Sequence, residues 1–130
     1  MLATPRLPRA FLDGVRLFNG GQYFEAHEAF EELLDDVEAD DRWDLVVALI
    51  QVAVGYHKCA SGFPGGVNML GKALAKLEPF SDDAGGVAIG ALRARIQADR
   101  DALAGGRTAA MQFGSPPRLG LAAIRSWADE

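Results

Sequence analysis

Apolar residues recur at helical spacing along most of the chain. Phe11, Leu12, Val15 and Phe18 share one face of a first helix, preceded by Pro5 and Pro8 and stopped by Asn19-Gly20-Gly21. A second helix is predicted from about Gln22 to Glu38, with the stripe Tyr23, Ala26, Phe30, Leu33, Leu34 and Val37. Ala39-Asp40-Asp41 is a tight connection whose aspartates can cap the next helix. That third helix, from about Arg42 to Ala60, is apolar all round in its middle: Leu45 to Gly55 holds a single polar residue, Gln51. Such a helix belongs at the centre of a bundle.

Ser61-Gly62-Phe63-Pro64-Gly65-Gly66 breaks the chain before a fourth helix carrying Val67, Leu70, Ala73, Leu74 and Leu77, which Pro79 ends. A fifth follows with Val87, Leu92, Ile96 and Leu103, and its predicted outer face is Arg93, Arg95, Asp99 and Arg100. Gly105-Gly106 and Pro116-Pro117 interrupt the tail, leaving Leu119 to Trp127 as a short helix or a docked extended segment. Nothing alternates at period two between turn residues. The expected fold is an all-α, single-domain bundle of about five to six helices over residues 1–130, with helices two and three as a central antiparallel hairpin. Residues 1–10 are an irregular lead-in and 105–130 a partly irregular C-terminal segment.

Charge alters the picture in one region. No Lys or Arg lies between Arg16 and Arg42, yet nine of the 18 acidic residues fall there. With a net charge of −5, this surface repels phosphate backbones, so nucleic-acid binding is not expected. The longest apolar run is shorter than the roughly 20 residues of a membrane span, and the first residues lack the apolar stretch of a signal peptide. A single cysteine, Cys59, permits no internal disulfide and suits a cytoplasmic protein.

The candidate chemistry gathers where helices two and three meet. For a turn near residue 39 or 40, Glu28 falls level with Gln51, and His27 lies near Val52 and Tyr56. At about 100° per residue His27 sits inside the apolar stripe, with Glu31 one turn along. The Gln51 amide is expected to be buried and bonded to Glu28, or else to His27 or Glu31. Two histidines with several carboxylates suit a transition metal. However, His27-Glu28 lacks the second histidine of the zinc-protease pattern, and paired Glu-x-x-His motifs are missing, so no bound metal and no cofactor are expected. A polar network fixing helix register is the alternative to a ligand site. Lys58 and His57 do not activate Cys59, because residues one or two apart on a helix do not face each other.

Gly21-Gln22-Tyr23-Phe24-Glu25-Ala26, with Phe30, resembles half of a tetratricopeptide repeat, but no 34-residue period recurs. A wider likeness runs from Phe11 to Leu77. Phe18-Asn19-Gly20-Gly21-Gln22-Tyr23-Phe24-Glu25-Ala26-His27-Glu28, Glu31-Glu32, Leu49-Ile50-Gln51-Val52-Ala53, Tyr56-His57 and Gly65-Gly66 resemble the domain of unknown function 309 family. Those are small, all-helical, mainly prokaryotic proteins with no established activity. The resemblance implies recurring polar positions at Glu25, His27, Glu28, Glu31, Gln51 and His57, while the family's usual tryptophan is Leu34 here.

The expected function is therefore open. A non-enzymatic helical protein binding a partner or small ligand at the helix two/three junction, through Tyr23, Glu25, His27, Glu28, Glu31, Gln51 and His57, comes first. The alternative is a metal-dependent hydrolase using His27, Glu28 or Glu31, and His57. In a third reading the acidic helix docks on a basic protein, which an exposed apolar patch beside the acidic face would favour.

Overall fold

The computed structural model describes residues 11–37, 42–104 and 119–120. The expectations for residues 1–10, for the 38–41 connection and for most of the tail lie outside them. The described elements are α1 (Phe11–Asn19), α2 (Tyr23–Glu32), α3 (Leu34–Val37), α4 (Arg42–Ser61), α5 (Gly66–Leu77), a 3-10 turn (Ala84–Gly86) and α6 (Ile89–Ala104). No β-strand occurs among the described residues, and no described helix is long and apolar enough to cross a membrane.

α4 is the central element, buried through Leu45, Val46, Leu49, Val52, Ala53, Tyr56 and Cys59. α2 and α3 pack along one side of it and α5 along the other. Tyr23 meets Tyr56 and Phe24 meets His57 at the end remote from the 38–41 connection, so α2 and α4 are antiparallel. α1 closes over them, stacking Phe11 on Phe30 at 5.1 Å.

Two helices end in the same device. At α1, the Gln22 N–H donates to the Leu17 carbonyl and the Gly21 N–H to that of Phe18; at α4, Phe63 donates to Lys58 and Gly62 to Cys59. This paired pattern needs a left-handed residue, supplied by Gly21 (φ 83°) and Gly62 (φ 74°). Asn19, beside the first of these stops, also anchors a distant part of the chain. Its Oδ1 accepts the Leu119 N–H at 2.7 Å and its Nδ2 donates to the Leu119 carbonyl at 3.2 Å.

Two expectations are corrected. The single helix over 22–38 is interrupted at Leu33, whose N–H bonds the Phe30 carbonyl three residues back. Glu31, Glu32, Asp35 and Asp36 crowd this stretch without a basic residue, and carboxylates at a helix C-terminus oppose its dipole. Nor is the charged stripe of α6 an outer face. Arg93 donates to the carbonyls of Leu77 and Phe80 and pairs with Asp82, while the Arg100 Nε donates to the Val67 carbonyl. The exposed face is Ala91, Ala94, Gln97, Ala98 and Asp101. Long charged side chains satisfy loop and helix-end carbonyls while their stems pack on apolar surface.

Candidate functional site

One partly buried polar network joins two helices. The Tyr56 hydroxyl, on α4, donates to Asp99 Oδ2 on α6, and the Arg95 Nε donates to the same oxygen at 2.8 Å. Tyr56 is fully buried and the Asp99 side chain is 13% exposed, so this carboxylate lies almost wholly out of water with its charge countered. Phe18 and Tyr23 cover the phenol, with ring centroids 6.0 and 5.8 Å from that of Tyr56. Burial, followed by the bond and charge of Asp99, pushes the Tyr56 phenol far above its usual range. Tyr23 is raised by burial, partly opposed by Arg95. Cys59 is raised by burial and then by Asp99, which keeps its thiol protonated and poorly nucleophilic.

A raised phenol contributes stability that is fully present below the ordinary tyrosine value of 10.0 and is lost as pH climbs beyond it. Stability is therefore expected to fall above that point by about 1.4 kcal/mol per pH unit through Tyr56. Urea unfolding across alkaline pH checks this. Tyr56→Phe should flatten the decline, and an unchanged slope would mean that Tyr56 ionises in the folded protein as it does in the unfolded one.

A second constellation lies on the surface between α2 and α4. Phe24 stands 4.8 Å from the ring of His27 and 5.3 Å from that of His57, which lies 6.0 Å from Phe63. The left-handed Gly62 turns the chain so that Phe63 folds back beside His57. Phe24 is 46% exposed and Phe63 55%, high for phenylalanine. The His27 Nδ1–H donates to the Phe24 carbonyl at 2.6 Å, which directs Nε2 towards Glu31 Oε1 at 3.7 Å. That spacing is an ion pair only when the imidazole is protonated.

Over residues 11–70 the sequence matches the family model described as Domain of unknown function (DUF309). The stretch from α1 into α5 is similar to this family. The match spans both the buried Tyr23–Tyr56 contact and the Phe24–His57–Phe63 row, but stops short of Arg95 and Asp99 on α6. No curated protein and no solved structure matches the chain.

The seven residues expected to form one site are split among different surroundings. Tyr23 is in the core, and His27, Glu31 and His57 lie along the surface row. Glu25 and Glu28 project into solvent. Gln51 is the clear miss: its Oε1 is buried with no hydrogen-bond partner, and its side chain lines a cleft with Lys72 and Lys76 of α5. The hairpin heights hold, since Tyr23 does meet Tyr56. The azimuth does not, because Gln51 lies five residues from the α2-facing Tyr56, about 140° round the helix. Gln51 therefore faces α5, as does Gly55 one turn later, which touches Leu70.

The metal-hydrolase alternative requires His27, His57 and a carboxylate to converge. Among the described residues no group of three metal-binding side chains does so, and the Phe24 ring touches both imidazoles. Sequence reasoning passes over Phe24, Phe63, Arg95 and Asp99. Phe24 does carry a signal, as an aromatic residue just outside the Tyr23–Ala26–Phe30 stripe.

Proposed function

We propose that this protein is a binding module whose α2–α4 surface docks a basic polypeptide partner. The observation that carries this reading is the pairing of two exposed phenylalanines around His57 on the margin of an acidic helix. Exposed aromatic residues are the side chains that most often anchor interfaces, and apolar surface rimmed by polar groups marks such sites. The rim fixes the partner's charge. Glu25, Glu28, Glu31 and Glu32 on α2, with Asp35 and Asp36 on α3, are all exposed. Lysine or arginine beside an apolar anchor would meet carboxylates, and arginine would also stack on Phe24 or Phe63. A buried free thiol at Cys59 is compatible with a cytoplasmic setting.

Fluorescence anisotropy with a synthetic amphipathic leucine–lysine peptide, against its leucine–glutamate counterpart, tests the reading. The lysine peptide should bind, weakening with added salt, and the glutamate peptide should not. Phe24→Ala with Phe63→Ala should lower affinity at least about tenfold with little effect on stability, while Trp43→Ala, which removes the remaining exposed large apolar side chain of the described residues, should not. Unaltered binding by the double variant would remove the docking surface.

A further inference from the structure

On the side of α4 away from the aromatic row, α4 and α5 border an open cleft of about 730 Å³. The sequence explains the space. The helices touch where Gly55 lies against Leu70 and Gly66 against Cys59. One turn back along α4 and one forward along α5, Gln51 comes level with Leu74, between Lys72 and Lys76. There Ala75 offers only a methyl group, and Phe80 forms an apolar wall beyond the end of α5. The volume falls within the roughly 300–1,000 Å³ of small-molecule sites.

The Gln51 Oε1 is buried among these groups with no hydrogen-bond partner. Buried polar atoms are nearly always paired, so this acceptor calls for a donor from outside the chain. At the rim, Lys72 is exposed and has no partner among the described residues. Lys76 reaches Asp44 only at 4.0 Å in an exposed ion pair, a geometry that contributes little. The lining thus offers one acceptor at the floor, an apolar wall, and two cations against one anion at the mouth.

We propose that this cleft binds a small organic carboxylate carrying a hydroxyl or N–H donor at its other end. The donor meets Gln51 Oε1, the apolar body lies on Phe80 and Ala75, and the carboxylate sits beside Lys72 and Lys76. This site shares no residue with the α2–α4 docking surface and does not depend on it.

The test is a titration of the full chain with 4-hydroxyphenylacetate, followed by NMR at the Gln51 side-chain amide and the Ala75 backbone amide. Phenylacetate lacks the donor and 4-hydroxyphenethyl alcohol lacks the charge. Both signals should shift saturably with 4-hydroxyphenylacetate, and either truncation should weaken binding roughly five- to tenfold, the worth of about one hydrogen bond or exposed charge contact. Gln51→Met should abolish the preference for the hydroxyl while leaving phenylacetate affinity unchanged. Lys72→Ala with Lys76→Ala should abolish the preference for the carboxylate. Phe24→Ala with Phe63→Ala should bind the acid as wild type does, so that the cleft and the docking surface fail separately. Absence of saturable shifts with all three probes at millimolar concentration would overturn the proposal. So would a hydroxyl preference that survives Gln51→Met, which would leave Gln51 bonded to buried water only.

Discussion

Gly66→Ala is expected to lower the unfolding free energy by about 2–3 kcal/mol, the cost of forcing a methyl group into filled space. A Cβ at this position would lie 2.6 Å from Cys59 Sγ, 2.9 Å from the Cys59 backbone nitrogen and 3.2 Å from the Gly55 carbonyl oxygen. Two of those atoms are backbone of the central helix and cannot swing aside. Alanine gains up to about 1 kcal/mol in helix propensity over glycine, but Gly66 is the first residue of α5, where that gain is smallest. Gly71→Ala in the middle of the same helix is the control. Its Cβ would first meet Arg100 Nη2 at 3.0 Å, the far end of a flexible side chain, so its stability should equal or slightly exceed wild type. Urea midpoints at constant m-value measure both. Equal stability of Gly66→Ala and wild type would show that α4 and α5 approach less closely than these distances require.

The contrast between those glycines shows where the sequence is informative and where it is not. Periodicity places five helices, because each buries a stripe whose spacing is local information: Phe11, Val15 and Phe18 need only their own helix to be recognised as a face. The Asn19-Gly20-Gly21 and Gly62 stops are legible for the same reason, since a left-handed residue after a helix ends it whatever lies nearby. Gly66 and Gly71 look alike in the chain, and only the distance to α4 or to Arg100 separates them.

The candidate site fails in the same way. Relative height along an antiparallel pair follows from the turn, and the Tyr23–Tyr56 contact confirms it. Azimuth depends on where each helix sits around α4, which no local pattern contains. An all-apolar middle leaves the phase of Gln51 open, so spacing alone directs it to α2 when it faces α5. Asp99 escapes notice because its partner is 43 residues away and its own neighbours suggest a solvated face. The exposed carboxylates of α2, by contrast, are recognisable from charge alone.

Replacing Gln51 by leucine is expected to raise stability by about 1–2 kcal/mol, where an amide bonded to α2 would have made the same change destabilising. Leucine is close to glutamine in size and places no polar atom against the apolar wall of Phe80 and Ala75. The substitution strands no partner, because Oε1 has none. What it removes is the penalty of an unpaired buried acceptor, about 1–3 kcal/mol, discounted because the rest of the side chain is partly exposed. The melting temperature should rise by roughly 3–8 °C on that basis. A residue that weakens the fold where it stands is what a ligand site requires, since such sites commonly trade stability for an unsatisfied group that the ligand completes. In saturating 4-hydroxyphenylacetate the wild type should regain part of the difference, because a ligand that binds only the folded state stabilises it in proportion to the logarithm of its concentration over its dissociation constant. A Gln51→Leu protein that melts several degrees below wild type would show that the amide has a structural partner in solution, and the cleft would lose its reason for holding an acceptor.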